Sequence, residues 1–228
     1  MKKLLTLFAA IAMLFVACSK DDEGGNSLNP LPPMTDPEDV CTAMECIEFM
    51  RYCYDNFDVN DDGKVSPTEA LGVTQMKFRE YSSKESYYYE VTSLVGIEYF
   101  SNLKSLDCRD CHELGTAPIQ SLTNLRDVVF VNCFPLQKIE FPDGLPEIYL
   151  YDSYALTYLK IPASVTKISC GMCKSLSVVH SLATIPPKCT SSIFSYSSIE
   201  QILVPFESVE DYKSAEGWNK YADYIYGY

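Results

Sequence analysis

Leu103-Lys104-Ser105-Leu106-Asp107-Cys108-Arg109-Asp110-Cys111-His112-Glu113-Leu114 carries the pattern that decides the fold. Apolar residues stand at its first, fourth and sixth positions, a cysteine at the ninth and a leucine at the twelfth. The pattern returns at Leu125 (Val128, Phe130, Cys133, Leu136), at Leu145 (Ile148, Leu150, Ser153, Leu156) and at Val165 (Ile168, Cys170, Cys173, Leu176), in steps of 22, 20 and 20 residues. A fixed period of that length means stacked units, each giving one short strand to a parallel ladder and burying its apolar residues against its neighbours. A second register lies inside the first: Leu136-x-x-Ile139-x-Phe141-Pro142, Leu156-x-x-Leu159-x-Ile161-Pro162 and Ile199-x-x-Ile202-x-Val204-Pro205. Two candidate strands per unit follow.

The Leu-x-x-Ile-x-Ile-Pro style with its Cys-x-x-Leu steps resembles the BspA-like leucine-rich repeats of bacterial surface proteins. Val95-Gly96-Ile97-Glu98-Tyr99-Phe100-Ser101-Asn102-Leu103 resembles the internalin-like variety. The resemblance covers residues 73–205. It implies an α/β leucine-rich-repeat solenoid of short parallel strands, and a surface adhesion or recognition role without a named ligand.

Upstream, Asp58-Val59-Asn60-Asp61-Asp62-Gly63-Lys64-Val65-Ser66-Pro67-Thr68-Glu69 has the form of an EF-hand loop. Asp58, Asn60 and Asp62 alternate so that three side-chain oxygens point at one ion, and Gly63 permits the sharp turn. Lys64 offers its carbonyl, Ser66 a hydroxyl or a bridging water, and Glu69 both carboxylate oxygens. Val65 faces away from the ion into the core. The expected cofactor is Ca2+. EF-hands usually come in pairs with a long second helix, whereas here Gly72 and a strand-like Val73-Thr74-Gln75-Met76-Lys77-Phe78 follow at once. A single loop of this kind binds weakly, with a dissociation constant on the order of 0.1 to 1 mM, and the ion is read as structural.

Both ends of the repeats need lids, because a stack of units otherwise exposes its core. Asp36-Pro37-Glu38-Asp39 predicts the start of a helix over residues 36–57, with Asp36 as N-cap and Val40, Ala43, Met44, Ile47, Met50, Tyr54 and Phe57 on its buried face. At the far end Ser208 is placed to cap a helix in which Val209, Tyr212, Trp218 and Tyr221 shield the last unit, with Gly217 as a possible break. The expected divisions are therefore a helix and calcium loop at 36–72, repeats at 73–205 and a C-terminal cap at 206–228.

The beginning of the chain speaks to location. Lys2 and Lys3 precede an apolar run over residues 4–17, too short to span a bilayer comfortably but suited to a signal peptide. Phe15-Val16-Ala17-Cys18 resembles a lipobox, with Phe15 where leucine is usual; the resemblance implies cleavage of residues 1–17 and lipid on Cys18. Ser19-Lys20-Asp21-Asp22-Glu23 resembles an acidic signal for surface display on the outer membrane, and reads equally as a solvated acidic linker. Residues 18–35 form a tether, rich in Gly, Asn, Ser and Pro from Gly24 on. Cleavage removes two lysines and takes the formal charge from −13 to −15. Nucleic acid is excluded as a partner, since phosphate neutralisation needs clustered Lys and Arg.

Ten cysteines include Cys108-Arg109-Asp110-Cys111 and Cys170-Gly171-Met172-Cys173. Read alone, these suggest a four-thiolate zinc site or a redox pair. In register, however, they sit three units apart, roughly 14 Å at about 4.8 Å per unit, too far to share an ion. Core packing accounts for them better. Cys111 and Cys133 fall on neighbouring units, within disulfide reach, but connectivity is not set by sequence. Cys41, Cys46 and Cys53 read as buried thiols or as disulfide partners. Two histidines, His112 and His180, and no nucleophile elbow or phosphate loop give no support to catalysis.

The function expected is thus a lipid-anchored, non-enzymatic module that recognises an extracellular or surface protein or glycan. Strand positions pointing away from the core, Asp107, Arg109, Val129, Val131, Tyr149, Tyr151 and Lys167, are the candidate contacts. The alternatives are a scaffold subunit of an outer-membrane nutrient-uptake complex and a hydrolase whose carboxylates carry no local motif.

Overall fold

The computed structural model describes residues 31–81, 86–88 and 90–228. The signal peptide, the lipobox with Cys18 and the first part of the tether lie outside the described residues. The chain is mixed α/β, with parallel strands gathered in two sheets.

Three helical segments open it: a 3-10 turn over Val40–Ala43, α1 over Ile47–Phe57 and α2 over Pro67–Gly72. Strands β1 (Gln75–Lys77), β2 (Arg79–Tyr81) and β3 (Ser86–Tyr88) follow, β2 and β3 as an antiparallel pair. Then come β4 (Ser105–Arg109), β5 (Asp127–Val131), β6 (Glu147–Tyr151), β7 (Tyr158–Ile161), β8 (Lys167–Gly171), β9 (Val178–Ser181), β10 (Gln201–Val204) and β11 (Ile225–Gly227). The larger sheet has the order β1-β4-β5-β6-β8, and the smaller β11-β10-β9-β7.

Register follows the repeat. Leu106, Val128, Ile148 and Ile168 stand side by side, as do Cys108, Phe130, Leu150 and Cys170. All eight are buried, and the residues between them face out, because successive side chains of a strand point to opposite sides. The smaller sheet contributes Leu159, Val179 and Ile202 to the same apolar cluster.

Strands β4, β5, β6 and β8 of the larger sheet each turn a corner through a residue in the left-handed region: Asp110 (φ 59°), Asn132 (φ 59°), Asp152 (φ 55°) and Met172 (φ 57°). There the N–H of Asp110, Asn132 and Asp152 donates to the carbonyl of Val131, Tyr151 and Gly171 on the next strand, carrying the ladder one residue further. Two positions on, His112, Phe134 and Tyr154 stack ring on ring at 5.0 Å, and the Lys174 ammonium sits 4.4 Å from the Tyr154 centroid.

The N-terminal helix differs from its expected form. Asp39, not Asp36, caps the first turn: its Oδ1 accepts from the N–H of Cys41 and of Val65, and its Oδ2 from the Tyr54 hydroxyl. After that one 3-10 turn the chain extends through Met44, and α1 starts afresh with Cys46 as N-cap. The rotation changes the buried face. Ile47 is 71% exposed, while Phe49, Tyr52 and Cys53 go inside. Tyr52 accepts a hydrogen bond from the Lys77 N–H at 2.9 Å, so α1 covers the edge of β1.

Three further differences concern the smaller sheet. Leu136, Ile139 and Phe141 are buried as the second register requires, yet no strand forms there. Strand β9 forms although Ser181 stands where an apolar residue is usual, because the Ser181 and Tyr212 hydroxyls bond at 2.7 Å. The C-terminal cap is not wholly helical: α3 (Val209–Ser214) and a 3-10 segment (Trp218–Tyr224) are separated at Gly217 (φ 82°), and β11 then pairs with β10. Ser208 makes no side-chain cap. Trp218 and Tyr212 are fully buried against each other, and the Trp218 indole N–H donates to the Pro187 carbonyl.

Candidate functional site

The outward side of the larger sheet is a grid set by strand register. One row runs Ser105, Asp127, Glu147, Lys167; the next Asp107, Val129, Tyr149, Ser169; the third Arg109, Val131, Tyr151, Gly171. All seven sequence-derived contact candidates fall in this grid. A groove of about 550 Å3 lies over its middle, and Arg109, Val129, Val131, Tyr149 and Lys167 line it. Asp107 and Tyr151 sit in the same rows without lining it.

The groove has an apolar floor and charged margins. Val129 and Val131 are half-buried, Tyr149 is 46% exposed, and its ring lies 5.0 Å from Tyr151 at 37°. Along one margin Lys167 meets Glu147 at 2.8 Å. On the other, the Arg109 guanidinium lies 3.5 Å from Asp107, whose carboxylate also accepts the Arg109 N–H. The Lys167–Glu147 pair is exposed enough to be weak, so its charges remain open to a ligand, as does the exposed Arg109 guanidinium, while Asp107 is mostly covered. Burial pushes the Tyr151 phenol above its usual range, reinforced by Tyr149 and by Cys170 and Cys173; it stays a neutral donor.

Asp127, Glu147 and Ser169 also line the groove and were not singled out from the sequence. They were legible there: Asp127 and Glu147 stand two residues before Val129 and Tyr149, and alternation puts them on the same side.

The calcium-loop candidates are folded round their own backbone. Asp58 accepts from the N–H of Asp62 and Gly63, Asn60 from Asp62, and Asp62 from Lys64. Asp58 Oδ1 and Asn60 Oδ1 thus converge on one N–H at 3.1 and 3.0 Å. Glu69 is tied down separately. One of its oxygens accepts from Val59 N–H, and the other from the Ser66 N–H and hydroxyl in a reciprocal cap of α2. Those hydrogen bonds, the Ser66 N–H first, hold the Glu69 carboxyl below the usual value. Among the described residues, no group of three or more His, Cys, Asp or Glu side chains is gathered closely enough to hold a metal.

The donor set nonetheless suits a hard cation, being all oxygen from Asp58, Asn60, Asp62, Ser66 and Glu69 with the Lys64 carbonyl. Lys64 directs its ammonium away, to Asp36 at 3.1 Å and Glu38 at 3.0 Å. Both backbone groups of Val65 are satisfied inside the chain, its carbonyl by Val40 N–H and its N–H by Asp39. The loop is therefore closed on the N-terminal turn, with no backbone group at Val65 left for a second loop.

The histidines form no catalytic constellation. His112 is the first ring of the corner stack. His180 Nδ1 is 3.2 Å from the Tyr158 hydroxyl, and burial, then Lys160, lowers its pKa. Among the described residues, no helix is long and apolar enough to cross a membrane. No family model matches the chain, and no curated protein matches it significantly.

Proposed function

We propose that the chain is a leucine-rich-repeat recognition module, lipid-anchored at the outer membrane surface, that binds a protein segment or glycan in the groove over β4, β5, β6 and β8. In this reading the strands of the larger sheet form the ladder of a capped solenoid. The loop at residues 58–69 holds a calcium ion that stiffens the N-terminal lid.

The observation that carries the reading is the tyrosine pair Tyr149 and Tyr151 beside a valine floor, bordered by Arg109 on one side and Glu147 and Lys167 on the other. Aromatic faces supply contact area at low conformational cost, and flanking charges orient a ligand.

The test is an array of oligosaccharides and extracellular-matrix peptides probed with the full chain carrying Cys18→Ser, and with the same chain plus Tyr149→Ala or Lys167→Glu. Ligands captured by the groove lose about tenfold or more in affinity in both variants. Tyr226→Ala, on β11 in the other sheet, leaves them unchanged. Capture that survives both groove substitutions overturns the assignment of this face.

A further inference from the structure

The outward grid carries three acids and two cations, and they do not balance. Each cation has an acid of its own: Lys167 meets Glu147 at 2.8 Å, and the Arg109 guanidinium lies 3.5 Å from Asp107. Asp127 is left over. Its side chain is exposed, and no cation or hydrogen-bond donor among the described residues meets it. The adjacent Arg126 is engaged elsewhere, donating from Nη1 to the carbonyls of Thr123 and Leu125 at 3.0 and 2.7 Å.

What surrounds that carboxylate is specific. Asp127 lines the groove together with Glu147, Val129 and Tyr149. Glu147 stands one strand across in the same row, about 4.8 Å away at the usual strand spacing. Val129 is the next outward residue of β5, about 7 Å along. Tyr149, 46% exposed, stands on the diagonal at about 8 Å between α-carbons. One corner of the groove thus offers a free carboxylate, a second acceptor, an apolar wall and an aromatic face within the length of a single side chain. A guanidinium on a methylene stem uses all four. It makes two parallel N–H bonds to a carboxylate, stacks on a ring, and lays its stem on apolar surface.

We propose that the groove recognises an arginine side chain of a protein segment, with the guanidinium on Asp127, its plane against Tyr149 and its stem against Val129. The inference rests on the groove reading above and narrows it from a protein segment or glycan to a cationic protein segment. Glu147 accepts the remaining N–H donors. Lys167, its partner in the free chain, then turns to a carbonyl of the bound segment, so the same ligand is sensitive to Lys167→Glu. The formal charge of −13 draws such a segment from a distance, an effect that salt screens.

A glycan suits this corner less well. A neutral sugar leaves the charge of Asp127 without a counter-ion, and an acidic one sets like charge against Asp127 and Glu147. The Tyr149 and Tyr151 rings are inclined at 37° and so give no flat platform for consecutive sugar rings.

The probe is a phage-displayed library of random short peptides, selected on the full chain carrying Cys18→Ser and on the same chain with Asp127→Asn or Asp127→Lys. Because the Asp127 side chain has no partner to lose, both variants are expected to melt like wild type. Arginine is expected to be enriched about threefold or more in the wild-type selection. The excess disappears with Asp127→Asn and gives way to an excess of Asp and Glu with Asp127→Lys. In a synthetic copy of one selected peptide, citrulline in place of the arginine keeps the shape without the charge and lowers affinity about tenfold or more by calorimetry.

An arginine excess that survives Asp127→Asn reflects general attraction to an acidic chain and overturns the proposal. Selected peptides that lose binding with Tyr149→Ala but show no arginine excess keep the groove and overturn its cationic ligand. Tyr149-dependent capture of oligosaccharides, with no peptide selected, does the same. Capture of neither class in a Tyr149-dependent way overturns both the arginine site and the groove.

Discussion

Gly171 lies against the ring of Tyr151: a β-carbon placed on it would stand 3.0 Å from Tyr151 Cε1 and 3.0 Å from the Ser195 hydroxyl. Its backbone angles are ordinary, so what it provides is space. The last strand of the larger sheet thus gives up a side chain, and the tyrosine ring from β6 occupies the room. Gly171→Ala pushes on both neighbours and is expected to cost roughly 1–3 kcal/mol, lowering the melting temperature by several degrees. Tyr151 moves with it, and tyrosine fluorescence quenching by a groove ligand weakens. An alanine variant with unchanged melting and binding would show that the ring shifts freely.

Met172, next along the chain, carries φ 57° with a long apolar side chain that is 37% exposed. Asp110, Asn132 and Asp152 hold the same corner in the other units, and short polar residues tolerate that conformation better than methionine does. Met172→Asn is expected to raise stability by about 0.5–1 kcal/mol, read as a rise of roughly 2–4 °C in melting temperature. A fall would mean that the exposed thioether makes contacts worth more than the backbone strain.

Much of this architecture was legible because period and alternation are local properties. The 20-residue step fixed which residues of β4, β5, β6 and β8 face inward, and the outward grid followed from it. What escaped the sequence depends on contacts made at a distance. Asp39 caps the first turn in place of Asp36 because Val65 and Tyr54, far along the chain, hold its carboxylate. Strand β9 looks too polar at Ser181 until Tyr212 comes from α3 to satisfy the hydroxyl.

The Tyr212 hydroxyl donates to the Ala183 carbonyl at 2.8 Å and shares a hydrogen bond with Ser181 at 2.7 Å, all within the core. Tyr212→Phe keeps the ring against Trp218 and leaves those two oxygens with one partner fewer. Leaving a buried polar group short costs roughly 1–3 kcal/mol. Chemical denaturation should show that loss, and the Ser181→Ala/Tyr212→Phe double variant should recover part of it. Equal stability of Tyr212→Phe and wild type would rule out this pair as a tie between cap and sheet.

His180 gives the fold a pH dependence of definite sign. Burial, then Lys160, lowers its pKa below 6.5, and among the described residues its Nε2 finds no hydrogen-bond partner. The unfolded chain therefore takes up this proton before the folded one does. Its contribution is fully present above pH 6.5 and is lost as pH falls from 6.5 towards the lowered value. Glu98, whose carboxyl burial holds above 4.5, acts in the opposite direction. The comparison is consequently with His180→Gln, which keeps Glu98. Stability followed from pH 7.5 to 5 should fall less steeply in the variant, and identical slopes would remove His180 from the account.

Glu69 has two duties that one substitution can separate. Its carboxylate completes the reciprocal cap of α2 with Ser66, and in the proposed calcium site it supplies two oxygens. Glutamine at this place in a helix serves the cap but is a poor bidentate ligand. Titration calorimetry on the Cys18→Ser chain should give one calcium ion with a dissociation constant on the order of 0.1 to 1 mM, and 10 mM calcium should add about 1–3 kcal/mol of stability. Glu69→Gln keeps one oxygen for the Ser66 cap but gives up the acceptor of the Val59 N–H, so it is expected to melt slightly below wild type without the ion and to lose the calcium response. Glu69→Ala should lose both, because it removes the cap as well, and Asp58→Ala should lose the heat of binding. Wild type giving no heat and no shift at millimolar calcium would leave residues 58–69 as a turn held by its own hydrogen bonds, and the stability of the N-terminal lid would then rest on Asp39 and the packing of α1.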